Sequence, residues 1–187
     1  MNLIAEEHKY LFQTYRRYNI VIAKGKGKYV WDDKGKKYLD FFTGLSVNNV
    51  GHCNPKVVNA VIKQARTLIH VSNLFYTKPQ ILLARELIKR TFPGRVFFAN
   101  SGAEANEGAI KLVRKWSRKK WPAADRYEII VFKNSFHGRT LATLAATGQE
   151  KFHKGFEPLV PGFKYAEYNN AASVEKLITK KTAAIML

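Results

Sequence analysis

VFFANSGAEANEGAIKLVRKW, residues 96–116, decides how this chain folds. Its apolar opening, taken from Arg95 to Ala99, reads as a short strand buried on both faces. From Ala103 to Lys119 the period becomes helical, with Ala105, Ala109, Leu112, Val113 and Trp116 expected to face inward. Between the two lies Asn100-Ser101-Gly102-Ala103, a junction with almost no side chain. Such a junction bares several amide N–H groups at a helix N-terminus, where the macrodipole adds partial positive charge. Small residues let an anion come within hydrogen-bonding range and Ser101 adds a hydroxyl, so the geometry suits a phosphate. The plainer alternative is capping alone, with Asn100 or Ser101 as the N-cap.

The next strand, YEIIVF (127–132), leads straight into NSFHGRTLATLAATGQEKF (134–152). There an aromatic ring (Phe136), an imidazole (His137) and a guanidinium (Arg139) stand at the neighbouring carboxyl-end position of the sheet. An aromatic phosphate cofactor and a carboxylate substrate would use that set: phosphate on the helix N-terminus, ring on Phe136, carboxylate forked by Arg139. Singly, each has an ordinary structural use: Phe136 in a core, His137 as a satisfied polar residue, Arg139 on a helix surface.

Outward from these stretches, residues 138–146 and 171–179 read as helices, and 163–166 and 183–187 as strands. Strands alternating with helices predict an α/β fold with a parallel sheet. Upstream, a helix is expected over 3–14. IVIAKGKGKYVWDDKGKKYLDFF (20–42) alternates around Asp33-Lys34-Gly35 as an antiparallel hairpin sheet. Residues 45–54 suit an irregular loop. Asn54-Pro55 opens a helix carrying Val57, Val58, Val61, Ile62, Ala65 and Leu68 on one face. Pro79 opens another, with Leu82, Leu83, Leu87 and Ile88 as its core stripe. The expected division is an N-terminal segment, 1–54, and the first part of a larger domain, 55–187.

The net charge is +18, from 32 Lys and Arg against 14 Asp and Glu. The basic residues are spread along the chain, as in KGKGK (24–28) and RKWSRKK (114–120), with no zinc spacing, RNP-type strand or basic recognition helix. That distribution points to a solvated lysine-rich surface rather than a nucleic-acid face. No apolar run is long enough to span a bilayer, and the polar N-terminus is unlike a signal peptide. The single cysteine, Cys53, fits a reducing, cytoplasmic setting.

Residues 25–61, 72–80, 96–116 and 132–163 together resemble the class III (ornithine-type) aminotransferases, fold type I enzymes that use pyridoxal phosphate. The resemblance covers essentially the whole chain. It implies that Ser101, Gly102 and Ala103 form a phosphate cup, that Phe136 stacks on the pyridine ring with His137 beside it, and that Arg139 binds the substrate α-carboxylate. It implies a small segment, helix plus hairpin, folding over the substrate. It also implies a homodimer in which SNLFYTKPQ (72–80) and GLSVNN (44–49) lie at the interface and two sites are completed in trans. The expected reaction moves the δ-amino group of N-acetylornithine to 2-oxoglutarate; ornithine, succinylornithine or 4-aminobutyrate as donor is the alternative within the family. A non-catalytic basic binding fragment is the alternative outside it. Members of this family are about twice as long, and their Schiff-base lysine and pyridinium-pairing aspartate come from the second half. Lys111 and Lys115, on a helix packed by its apolar side, are rejected for the lysine role. The chain, ending on the strand AAIML, is therefore expected to be a fragment cut off before its catalytic lysine, and inactive alone.

Overall fold

The computed structural model describes residues 2–187, which divide into one unit ending at Thr77 and another from Lys78 to Leu187. In the first, α1 (Leu3–Tyr10) starts where Asn2 Oδ1 accepts from the Ala5 amide at 3.2 Å. It stops well short of residue 14. Leu11 is extended, and Gln13 Nε2 donates to the Leu11 carbonyl (3.0 Å), a group that a longer helix would need for itself.

The hairpin prediction holds as a three-stranded antiparallel meander, β1 (Ile22–Lys26), β2 (Tyr29–Asp32) and β3 (Lys37–Leu39). Asp32 organises the β2–β3 turn by accepting from the Lys34 and Lys36 amides, with Gly35 at φ 82°. After β3, Asp40 Oδ1 accepts from the amides of Phe42 (2.8 Å) and Thr43 (2.9 Å). Its other oxygen meets His52 Nε2 at 2.6 Å, and this bond holds the carboxyl below the usual carboxylate range. Between these anchors α2 (Thr43–Ser46) is a single turn with φ of 49°, 61°, 56° and 65°, a left-handed run that includes only one glycine. His52 also exchanges backbone bonds with Gly27 and lays its ring on Gly25, where a Cβ would come within 2.8 Å of the imidazole.

Helix α3 (Pro55–Thr67) then begins as read, with Asn54 Oδ1 accepting from Lys56 N and proline in the first turn. α3 lies in the unit that ends at Thr77.

The second unit opens with α4 (Lys78–Arg90). Its expected core stripe is not buried: Leu82, Leu83 and Leu87 stay 36%, 52% and 40% exposed. Residues 95–99 form no strand. They have no ladder partner among the described residues, and strand structure exists only as pairing. Helix α5 (Gly102–Lys120) follows. Then come β4 (Glu128–Phe132), α6 (Leu141–Ala146), β5 (Phe163–Ala166), α7 (Ala171–Leu177) and β6 (Thr182–Ile185). The sheet order is β5-β4-β6, with both pairings parallel. All five residues of β4 are buried. On one face Ile129 and Val131 pack with Ile110 of α5 and Ala146 of α6; on the other Ile130 and Phe132 pack with Ala166 and, from α7, Val174 and Leu177. This is the two-faced α/β layering that the sequence predicts.

The buried face of α5 differs from the expected one. It runs through Ile110, Val113 and Ser117, while Leu112 and Trp116 are 68% and 46% exposed. Two apolar stripes compete on this helix, and the sheet takes the one whose side chains reach β4. Phe97 lies against the bare edge of α5 at Gly108, whose Cβ would come within 3.2 Å of the ring.

Beyond β4 the chain loops out and returns so that Lys133 bridges Gly148. A Cβ on Gly148 would stand 2.1 Å from the Phe132 carbonyl oxygen, a backbone atom that cannot turn aside. Gly148→Ala is expected to cost about 3 kcal/mol or more, since overpacking here must displace the central strand. Urea unfolding measures this, and a loss under about 0.5 kcal/mol would show that the returning chain is not held so close.

Candidate cofactor and substrate site

At the start of α5, Ser101 is the N-cap, its Oγ accepting from the Glu104 amide at 3.2 Å. Capping is therefore real, but it uses only one of the early N–H groups. The amides of Ser101, Gly102 and Ala103 donate to nothing among the described residues, and a Cβ at Gly102 would meet no atom within 4 Å. Glu104 sends its carboxylate back to Asn100, accepting from its backbone N (2.6 Å) and Nδ2 (2.9 Å). The Ser-x-x-Glu spacing was available in the sequence as a capping-box signal.

The second stretch abuts this junction. Asn106 Nδ2, on α5, donates to the His137 carbonyl at 2.8 Å. Gly138, at φ 139°, approaches so closely that its Cβ would lie 2.8 Å from Ala103 Cβ and 2.6 Å from Thr143 Oγ1. Thr140 Oγ1 donates to Glu107 Oε1 at 2.5 Å and caps α6. Sequence reading placed Ser101, Gly102, Ala103, Phe136, His137 and Arg139 at neighbouring strand ends; residues 95–99 form no strand, and the junction is instead closed by the Gly138 approach and reinforced by the hydrogen bonds of Asn106 and Glu107, neither of which was singled out.

Phe136 is 59% exposed, so its ring has a free surface. It stands edge-on to Phe152, with centroids 6.5 Å apart and an interplanar angle of 78°. The guanidinium of Arg139 lies 3.9 Å from the Phe152 centroid and 5.6 Å from that of Phe136. No carboxylate pairs with Arg139 among the described residues. Phe152 escaped the sequence reading because nothing local sets it apart from a core residue.

His137 is 5% exposed, and its Nε2 has no partner. Its backbone is fixed, the N–H donating to Thr147 Oγ1 at 2.9 Å. Burial pushes its pKa down, so the ring is neutral and carries an unspent polar atom. Open amides, an uncovered ring, an orphaned buried nitrogen and an unpaired guanidinium together fit a phosphorylated aromatic cofactor with a carboxylate beside it. Among the described residues no cluster of side chains could hold a metal ion, and no helix is long and apolar enough to cross a membrane.

The Aminotransferase class-III family matches residues 11–187. The chain belongs to that family. It is 55% identical over 185 residues to acetylornithine aminotransferase of Caldanaerobacter subterraneus, covering 99% of this chain and 47% of that protein. It is also 55% identical to the Methanocaldococcus jannaschii enzyme of that name, covering 100% of this chain and 46% of that one. It thus spans about half the length of these relatives. Among solved structures, ornithine aminotransferase from Toxoplasma gondii, reported with partial occupancy of PLP at its active site, superposes with a TM-score of 0.93 at 32% identity. That match covers 99% of this chain and 44% of that one. Acetylornithine aminotransferase from Elizabethkingia anophelis gives a TM-score of 0.79 at 32% identity, with coverages of 98% and 42%. The fold type expected for pyridoxal-phosphate transaminases is therefore shown, and pyridoxal phosphate is the cofactor that goes with it.

Because the folded His137 resists protonation, the unfolded chain binds its proton first, near pH 6.5. Stability contributed by this neutral ring is present above that pH and is lost as pH falls toward the lower folded pKa. Chemical denaturation between about pH 7.5 and about pH 5 should show a shallower loss for His137→Gln than for the unaltered chain. Equal slopes would mean that His137 is solvated.

Proposed function

We propose that this chain supplies the phosphate-holding and carboxylate-holding part of an aminotransferase of the acetylornithine type, which moves the δ-amino group of N-acetylornithine to 2-oxoglutarate. The observation that carries the reading is the meeting of α5's open N-terminus with the Phe136–Arg139 segment, joined by the Asn106–His137 bond and the Gly138–Ala103 approach. Donor identity rests on the two 55% identical relatives and their names.

In this reading the amides of Ser101, Gly102 and Ala103 hold the phosphoester, charge-assisted by the helix terminus. Phe136 offers its exposed face to the pyridine ring. His137 Nε2 stands as a neutral polar neighbour, and Arg139 orients the α-carboxylate of each substrate by a bidentate fork. Pyridoxal phosphate, when bound, supplies the electron sink for exchanging amine and carbonyl. Lys111 and Lys115 are exposed on α5, away from any buried position suited to an amine that handles protons.

Placement in the cytoplasm fits the single exposed Cys53. Residues 55 onward would belong with the cofactor domain of the longer protein. A second copy of the chain is the proposed partner. The left-handed turn carries Leu45 (77% exposed), Val47 directly after it is 79% exposed, and Leu74, Phe75 and Tyr76 are likewise bare. Several non-glycine residues at positive φ cost roughly 1–2 kcal/mol each, a strain usually kept where a surface has work to do.

The central test uses 4′-deoxypyridoxine 5′-phosphate, which lacks the aldehyde and cannot condense with surface lysines. The 187-residue chain should bind it, at least about tenfold more weakly without its phosphate or in Gly102→Asp. Equal binding of the dephosphorylated probe would refute the cup. The same purified chain is expected to show no transamination of N-acetylornithine with 2-oxoglutarate, and measurable turnover would contradict the assignment of the proton-handling amine to other residues. In sedimentation velocity the chain should self-associate with rising concentration, and Val47→Asp should shift it to monomer. A monomer at every concentration would remove the proposed interface.

A further inference from the structure

We propose that Phe152 is the positioning residue for the carboxylate-binding arginine, one ring setting both the aromatic platform and the guanidinium. The inference rests on the reading of Arg139 given above and adds the group that aims it.

Phe152 sits on a firm mount. It ends a short 3₁₀ turn, Glu150–Phe152, directly after the Gly148 contact with the end of β4. On one side of it in the chain, Gln149 Nε2 donates to the Ser135 carbonyl at 3.0 Å. On the other, His153 Nε2 lies 3.0 Å from the Leu144 carbonyl and 2.7 Å from that of Thr147. Both partners are acceptors, so this nitrogen carries the proton and ties the turn to the end of α6. The ring is half-buried between these ties.

Arg139 has no such support of its own. It is exposed and without an ion pair among the described residues, and its contacts are with rings, Phe152 much the nearer. A guanidinium lying 3.9 Å over a ring keeps its in-plane N–H groups at the periphery, free for a carboxylate. Stacking also removes rotamer freedom before the substrate arrives, so less is lost on binding. Lys151 Nζ, 4.8 Å from the same centroid, adds positive charge beside the site without competing for the fork geometry. The ligand class follows: a carboxylate of an amino or oxo acid, held more tightly because its arginine is pre-aimed. Phe136 is in turn fixed edge-on by the same ring, so cofactor platform and carboxylate anchor share one support.

The test follows the Arg139 Nε–H resonance in the isotope-labelled 187-residue chain bearing 4′-deoxypyridoxine 5′-phosphate, during titration with glutarate. In the unaltered chain that resonance should be displaced upfield by the Phe152 ring current. A position typical of a free arginine overturns the proposal without any variant. Phe152→Leu should abolish the displacement and weaken glutarate about three- to fivefold, the value of an exposed cation–π contact. Phe152→Tyr should restore both. Arg139→Ala should remove most of the affinity. If Arg139→Ala matters and Phe152→Leu does not, this inference falls alone. If Arg139→Ala leaves glutarate unaffected, the carboxylate role falls and takes the positioning role with it. Should Phe152→Leu not fold, the wild-type displacement and the Tyr variant decide the matter.

Discussion

Everything at the candidate site depends on two places where backbone meets neighbour more closely than any side chain allows. Gly148 lies against the Phe132 carbonyl, and Gly138 against Ala103 and Thr143. The first closes the loop after the central strand back onto that strand. The second presses the loop onto the first turn of α5. Between them they bring a helix N-terminus, a free ring and a guanidinium into one neighbourhood. Larger residues at either glycine would separate the phosphate donors from the groups that complete the site.

The hydrogen bonds confirm that arrangement rather than create it. Asn106 donates to the His137 carbonyl, Thr140 to Glu107, and the His137 amide to Thr147. Two of them connect residues 31 and 33 apart in sequence, across the same junction that the Gly138 contact closes. The buried His137 fits the same logic. Its main chain is satisfied on both sides while its Nε2 is left without a partner. A buried orphan of this kind usually costs about 1–3 kcal/mol, which a functional role would explain.

Much of the fold was legible because it obeys local rules. Asn54-Pro55 gave the start of α3, Asp33-Lys34-Gly35 the hairpin turn, and the unbroken apolar run at 129–132 a buried strand. What failed did so where pattern is ambiguous without a partner. α5 carries two apolar stripes, and periodicity alone cannot say that Ile110 and Ser117 face the sheet while Leu112 and Trp116 do not. RVFFA has the composition of a strand, yet composition cannot supply a ladder. The stripe of α4 is amphipathic but uncovered. In the site, motif residues were readable from their chemistry, whereas Phe152, Asn106 and Glu107 matter only through where the fold puts them.

The unburied stripes and the unpaired apolar segment share a physical meaning. Leu82, Leu83, Leu87, Phe97, Leu112 and Trp116 are each more than a third exposed, all in the same unit as the site. Apolar surface on this scale, left in water, forgoes about 25 cal/mol for every Å² that could be covered. The family relatives are about twice as long, so they carry further chain with which such surfaces can be covered. The central strand β4 does not need that cover, because helices of this chain pack on both of its faces. The phosphate-side site is mounted on that sealed part: Asn106 on α5, Gly148 on the end of β4, His153 on the end of α6. Its geometry is thus set by elements that pack against the buried central strand.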